Sequence, residues 1–300
     1  MTDFYSASTM LLQPLLHSEG LIKTCIKGLS LFISHNYGTS LPTIYSPSVC
    51  FILDGTKHLM VEETIYKFSK GQFLSVSVDM PATGCVIEAS EDKPYICAQI
   101  DVNTDIIREI IMSGEISVDS SAGHKSITIG DMDSDINSCL FRLLGRLSDG
   151  SDNSYLSGLI MKELHYRLLK TNAGRYLAGF AADGSNMYKI AEVISIIRRN
   201  YDKSIQIEQL AQIANMGISS FHSHFKNVTS MTPHQFLKKV RLTEARRIML
   251  TEKIDASATA YRVGYESPSQ FSREYSKHFG APPASDIIRI KNSAKRNPAI

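Results

Sequence analysis

The sequence predicts an α+β protein. A region of short strands with flanking helices is followed by an all-α region, in which two helix-turn-helix units are joined by a long linker helix. Three observations carry this. From Thr43 to Asp101, β-branched and aromatic segments of about five to seven residues are punctuated by Pro, Gly, Asp and Ser, the texture of short antiparallel strands. From Ile207 to Phe279 one small helical unit occurs twice, with Phe221 and Phe225 in the first copy and Phe271 and Tyr275 in the second, an offset of fifty residues. The charge also changes sign along the chain. From Met187 onward there are 18 Lys and Arg against 9 Asp and Glu (+9), and before it 14 against 21 (−7). Only the C-terminal part is therefore suited to a polyanion, and removing the terminal Lys291, Lys295 and Arg296 still leaves it at +6.

Met1 to about Ser34 reads as weak helix. Leu11, Leu12, Leu15 and Leu16, then Leu21, Ile22, Ile26, Leu29 and Ile33, suggest amphipathic pieces broken at Pro14 and Gly20. Candidate strands follow at Val49–Leu53, Lys57–Val61, Ile65–Phe68, Phe73–Val78, Cys85–Ala89 and Tyr95–Ile100, with Asp54-Gly55 as a hairpin turn. Strands at this spacing predict a sandwich or barrel, and Ser117–Ile129 offers one or two more. From about Asp135 the period becomes helical. Ile136, Leu140, Leu143, Leu144 and Leu147 form one stripe, and Leu156, Leu159, Ile160, Leu164 and Leu168 another. The two helices are expected to cover a barrel end, the second doubling as a candidate dimer surface. The small, polar Ala181–Asn186 marks the domain boundary, giving domains 1–183 and 184–300.

The second domain opens with an amphipathic helix at Met187–Asn200. Its helix-turn-helix units are placed at about 207–228 and 256–279. Rings four residues apart share one helix face, so each second helix has a buried back and a polar front: Ser219, Ser220, Ser223 and Lys226 in one, Ser269, Gln270, Arg273 and Lys277 in the other. A short polar helix held from behind suits the DNA major groove. Gly217 stands where a serine cap is usual, whereas Ser267 and Pro268 form a regular N-cap and first position. Thr232 caps, and Pro233 begins, a linker helix running to about Leu250. At roughly 1.5 Å per residue it has about the length needed to set two readers ~34–36 Å apart on one DNA face.

Five cysteines without CxxC spacing, Cys25, Cys50, Cys85, Cys97 and Cys139, argue against a disulfide framework and against zinc. No basic run precedes a long apolar stretch, and no apolar run approaches 18 residues, so neither a leader nor a membrane span is expected. A reducing cytoplasm fits. No phosphate-binding glycine loop follows a strand, which leaves nucleotide chemistry unsupported.

The segments PHQFLKKVRLTEARRIML (233–250) and AYRVGYESPSQFSREYSKHFGAPP (260–283) resemble the linker helix and signature of the AraC/XylS family of bacterial transcription regulators, over about 189–283. YSPSVCFILDGTKHLMV (45–61) and GQFLSVSVDMPATGCVIEASEDKPY (71–95) resemble the β-barrel effector domain of one of its subfamilies. The resemblance implies a cupin-like barrel, regulated DNA binding and a homodimer. Thr259, where the family usually has an aliphatic residue, and Gly217, in place of the usual serine cap, are departures that put the relative contribution of each unit in question.

Carried onto this chain, the family's base readers fall at Ile218, Ser219, His222, Ser223 and Lys226, then at Ser269, Gln270, Arg273 and Lys277. Arg273 is suited to bidentate bonds with guanine and Gln270 to adenine; the alternative for each is a phosphate or solvent contact. Arg241, Arg246 and Arg247 read as structural ion pairs or phosphate contacts. His222 and His224, two apart on a helix, point in different directions and cannot grip one ion. Only His58, with His35 and His124 at the margins, lies near the barrel, so no metal site is expected. Cys50, Cys85 and Cys97 fall on strands; small core residues are the plainer reading, an electrophile-sensitive thiol the sharper one. Together these residues predict a sequence-specific regulator rather than an enzyme, with no cofactor, and the resemblance implies an activator that acts on RNA polymerase. Its expected partners are double-stranded DNA, RNA polymerase and a small-molecule effector, with no membrane partner. The alternative is a cupin-type enzyme or binding protein whose helical part only mediates oligomerisation.

Overall fold

In the computed structural model, which describes residues 4–38, 40–116, 125–148, 154–252 and 254–296, the strands form two antiparallel sheets facing each other across an apolar interior. Helix α1 (Phe4–Leu11) precedes β1 (Gly20–Lys23), β2 (Leu29–Ser34), β3 (Ser40–Tyr45), β4 (Ser48–Asp54), β5 (Thr56–Val61), β6 (Thr64–Ser69), β7 (Gln72–Val76), β8 (Met80–Glu88) and β9 (Tyr95–Asp101). Helix α2 (Thr104–Met112) and β10 (Ile127–Asp131) follow. The larger sheet has the order β1-β2-β9-β4-β7-β10 and the smaller β3-β8-β5-β6.

Strand alternation decides which residues face inward. From the larger sheet Cys50, Ile52, Leu74, Val76 and Cys97 meet Leu59, Val61, Met80, Ala82 and Val86 of the smaller. The intervening Val49, Phe51, Leu53, Ile96 and Ala98 face the other way, into a second core formed with α1, α3 (Ser134–Ser148) and α4 (Ser154–Leu169). Leu140, Leu143, Leu144 and Leu164 are fully buried there, each contributing about 1.5–3 kcal/mol. The helices thus cover a sheet face, not a barrel end.

One other expectation is corrected. Helix stops at Leu11, followed by one 3-10 turn, and the stretch from Gly20 to Ser34 is a β-hairpin. Ile22, Ile26, Leu29 and Ile33 satisfy a helical spacing, but Gly28 at φ 81° breaks the segment, and Leu29, Leu31 and Ile33 are buried with period two. Strand β3 and helix α2 were not anticipated, although Asn103 caps α2 with its side chain, accepting from the Asp105 and Ile106 amides. Of the strands expected at Ser117–Ile129, residues 117–124 lie outside the described ones, and β10 begins at Ile127.

Past the unanticipated α5 (Gly174–Ala181) the chain is helical: α6 (Asn186–Arg199), α7 (Ile207–Ile213), α8 (Ile218–Thr229), α9 (Pro233–Thr251), α10 (Ala256–Arg262), α11 (Pro268–Phe279) and α12 (Pro283–Arg296). Ile190, Leu210, Phe221, Phe225, Phe236 and Val240 belong to the same apolar cluster as the barrel interior. Leu242, Ala245, Ile248, Phe271, Tyr275 and Ile287 form a separate core. Helix α9 therefore spans two cores, the change falling between Val240 and Leu242. The stretch Pro283–Arg296 is helical and packs on α9 through Ile287 and Asp286.

Candidate nucleic-acid interface

The two copies share their local geometry. Helix α7 ends in a turn where Asn215 takes φ 50°, and α10 in one where Gly264 takes φ 88°. Met216 N–H then reaches back to the Ala211 carbonyl (3.0 Å), and Tyr265 N–H to that of Ala260 (2.9 Å), the six-to-one bond of a Schellman motif. The left-handed residue of the first turn is thus Asn215; Gly217 is extended and serves as an N-cap with no side chain. Gly264 is required twice over, because a Cβ there would lie 2.6 Å from the Asp202 carbonyl oxygen and 2.8 Å from the Arg241 guanidinium.

Helices α8 and α11 each have 12 residues and end in a left-handed residue, Ser230 and Gly280. Pro233 and Pro283 then start α9 and α12, so the fifty-residue repeat runs on into the following helix. At matched positions the chemistry differs. Phe225 packs edge-on against Phe236 at 5.5 Å between centroids. In the second copy the Tyr275 hydroxyl donates to Asp286 (2.9 Å), which also receives two bonds from Arg246 (2.8 and 3.0 Å). Asp286 is fully buried and Arg246 nearly so. Burial and the neighbouring carboxylate push the Tyr275 hydroxyl up from its ordinary value, so it stays a donor.

Thr259, the polar departure, is buried with its hydroxyl donating to the Asp255 carbonyl (2.7 Å), which offsets the cost of burying it. Thr232 and Gln235 form a full capping box at the start of α9. The three linker arginines hold the fold: Arg246 binds Asp286, Arg247 binds Glu244 (2.8 Å), and Arg241 donates to the Tyr201 and Lys203 carbonyls (2.7 and 2.8 Å).

With the rings buried behind them, Ile218, Ser219, Ser223 and Lys226 are exposed on α8, and His222 is half-buried beside them. On α11, Ser269, Gln270, Arg273 and Lys277 are exposed. The structure therefore gathers the nine candidate residues onto two helix faces. Arg273, Lys226 and Lys277 have no ion-pair partner among the described residues. Glu274, not singled out in the sequence, sits among the α11 candidates; it accepts from Gln270 (3.3 Å) and from the Tyr265 hydroxyl (2.9 Å). His224 is half-buried, 3.4 Å from the Asn186 side chain.

Sequence reasoning also missed how this region meets the barrel. The Ser126 hydroxyl donates to the Val228 carbonyl at the end of α8 (2.5 Å). Glu62, at the β5–β6 turn with φ 52°, pairs with Lys239 of α9 (2.7 Å). His278 of α11 is pulled down to about 4 by burial and by Lys239. No pattern in the sequence marks such contacts, because they join residues far apart in the chain.

Inside the barrel Cys50 and Cys97 are buried, whereas Cys85 is half-buried and Cys25 exposed; all five cysteines are free thiols. The Lys57 ammonium lies 4.3 Å from the Phe32 ring centre and 5.6–5.7 Å from those of Tyr95 and Tyr45. Among the described residues no three of His, Cys, Asp and Glu come together as a metal site. His35 is bonded to Glu19 (3.0 Å), and His124 lies outside the described residues.

Comparison with known proteins places these features in context. A family model described as the N-terminus of AraC-type transcriptional regulators matches residues 25–176, and a helix-turn-helix domain model matches 210–286. The chain is 25% identical over 207 residues to the raffinose operon transcriptional regulatory protein RafR of Pediococcus pentosaceus, covering 67% of this chain and 71% of that protein. It is 23% identical to the lactose operon transcription activator of Staphylococcus xylosus, covering 51% and 55% respectively. In fold it is similar to ToxT of Vibrio cholerae, with a TM-score of 0.58 at 11% identity over 87% of this chain and 97% of that one.

Proposed function

The chain belongs to the AraC/XylS family of transcription regulators, and from that premise we propose that it is a sequence-specific DNA-binding activator that responds to a small molecule through its N-terminal domain. The observation that carries this is the pair of matched helices, α8 and α11, each buried behind two rings and polar in front. In this reading the domains divide at about residues 183–184, and the two helices enter successive major-groove segments on one face of the duplex. Ile218, Ser219, His222, Ser223 and Lys226 form one reading face, and Ser269, Gln270, Arg273 and Lys277 the other. Arg273, without a competing carboxylate bond among the described residues, takes guanine bidentately. Gln270 reads adenine only after releasing Glu274.

The named relatives regulate sugar operons, which supports an activator that works with RNA polymerase. The exposed Tyr155, Leu156 and Leu159 of α4 support a homodimer through that face. No described helix is long and apolar enough to cross a membrane, and a role on chromosomal DNA supports a cytoplasmic location. Effector binding shifts the balance between arrangements of the two domains.

The test is a gel-shift competition with selected genomic fragments. Arg273→Ala is expected to lose about 1–3 kcal/mol of discrimination at one base pair, with binding to unrelated DNA almost unchanged. An equal loss on all sequences would make Arg273 a phosphate contact. Absence of salt-dependent binding to any fragment would end the regulator reading.

A further inference from the structure

The interior of the barrel is filled by its own side chains: Ile52, Leu59, Phe68, Leu74, Val76 and Tyr95 are each at most 1% exposed. A signal that acts through the N-terminal domain therefore needs another entry, and one cleft offers it. It has a volume of about 580 Å³ and lies between β6, β10, the turn leading into α5 and the C-terminal end of α8. That volume is in the ordinary range for small-molecule sites, roughly 300–1,000 Å³.

The charge of this cleft sets it apart. Lys125 and Arg175 line it, and among the described residues no carboxylate does. The other three cavities described each include at least one acid: Asp101 in that beside α2 and α4, Glu163 between α3 and α4, and Glu266 with Glu274 beside α9. Neither Lys125 nor Arg175 has an ion-pair partner among the described residues. The Arg175 guanidinium instead lies 4.8 Å from the ring centre of Tyr176. Two cations facing a cleft with no carboxylate among its described lining residues favour a ligand with a compact double negative charge. The rest of the lining is rich in hydroxyls and amides, Thr64, Thr128, Asn172 and Asn227 among them, with the rings of Tyr66 and Tyr176. Such a surface hydrogen-bonds a polyhydroxylated ring and stacks on it; it offers little to an aliphatic tail. The C-terminal end of α8 is the negative pole of that helix, so it suits the neutral hydroxyl end of the ligand while the charge lies at the cations.

We propose that this cleft is the effector site and that it takes a sugar phosphate, a reading that rests on the effector-responsive regulator proposed above. Asn227, Val228 and Ser230, at the end of the first reading helix, form one wall of the cleft. The Ser126 hydroxyl on the barrel side is already bonded to Val228. A ligand bridging the two sides ties the first reading unit more firmly to the barrel.

The test uses the full chain, with thermal shift and calorimetric titration against a panel of hexose and pentose phosphates, the parent sugars, glucuronate and inorganic phosphate. At least one sugar phosphate is expected to raise the melting temperature in a dose-dependent way. The parent sugar, inorganic phosphate and glucuronate should each bind at least tenfold more weakly. Lys125→Gln and Arg175→Gln should each weaken binding tenfold or more, and the double variant should abolish it. Lys23→Gln combined with Lys93→Gln, exposed lysines elsewhere on the barrel, should leave it intact. A response that survives in the double variant overturns the site. Equal binding of the uncharged sugar or the uronate overturns the ligand class. No response to any phosphate, in a preparation that binds operator DNA with salt dependence, overturns the inference and leaves the regulator reading standing. A preparation that binds no DNA fails that reading instead, and the melting shift reports on the cleft either way.

Discussion

Replacing Asp286 with alanine separates the two reading units energetically. Its carboxylate is fully buried and receives two bonds from Arg246, one from Tyr275 and one from Arg289 (2.8 Å). Removing one partner of a buried ion pair costs about 3–5 kcal/mol, because the other charge is left without compensation. The lost tyrosine bond adds roughly 1 kcal/mol, and the exposed Arg289 adds little. A helical unit of this size has only about 3–8 kcal/mol of stability, at roughly 0.05–0.15 kcal/mol per residue. Asp286→Ala is therefore expected to unfold much of the second unit near 37 °C. The barrel and the first unit, which share a different core, should stay folded. Calorimetry should show a new low-temperature transition, and DNase footprinting should lose protection over one half of the operator. Replacing the pair together, Arg246→Met with Asp286→Leu, should recover most of the loss, since a buried ion pair exchanged for apolar groups is often neutral or stabilising. A single transition at the wild-type temperature for Asp286→Ala, or a double replacement as unstable as the single one, would refute the reasoning.

Lys226→Gln and Lys277→Gln are each expected to reduce the slope of log affinity against log salt by about 0.9 if each side chain meets one phosphate; an unchanged slope would place it away from the backbone. His278 is held near 4 by burial, against about 6.5 in the unfolded chain. Its contribution is full above pH 6.5 and is lost as pH falls toward 4. His165, also lowered by burial, acts in the same direction. Its partial exposure trims the His278 effect to about 1–3 kcal/mol at ~1.4 kcal/mol per pH unit, and His278→Gln should flatten the stability profile between those limits. Ser126→Ala removes the bond to Val228 and should cost about 0.5–1.5 kcal/mol in urea unfolding, with faster amide exchange at the end of α8; unchanged exchange there would show that this bond does not hold the helix.

Much of this architecture was legible because the relevant signals are local. The ring pairs at Phe221 and Phe225 and at Phe271 and Tyr275, the Thr232-Pro233 and Ser267-Pro268 helix starts, and the strands from Val49 to Ile100 are set by neighbours a few residues away. The first hairpin is hidden because Ile22, Ile26, Leu29 and Ile33 fall at helical spacing, whereas the alternation of Leu29, Leu31 and Ile33 that decides for a strand covers only six residues. Helices α2 and α5 escaped because each is short, at nine and eight residues. At the candidate interface the exposed faces of α8 and α11 followed from the buried ring pairs. The bond that occupies Gln270 depends on how Glu274 is shared with Tyr265, a detail of packing rather than of pattern. The Asp286–Arg246 pair joins residues forty apart, and only the folded chain brings them together.

Helix α9 is 19 residues long, or roughly 28 Å at 1.5 Å per residue. One half is embedded with the barrel and the other carries the second unit. It therefore acts as a lever with its fulcrum near Val240. A tilt of about 10° about that point swings the far tip at Thr251, roughly 16 Å away, by roughly 3 Å. This is comparable with the ~3.4 Å step from one base pair to the next, so a small pivot at one end is enough to move the second reader off its sequence.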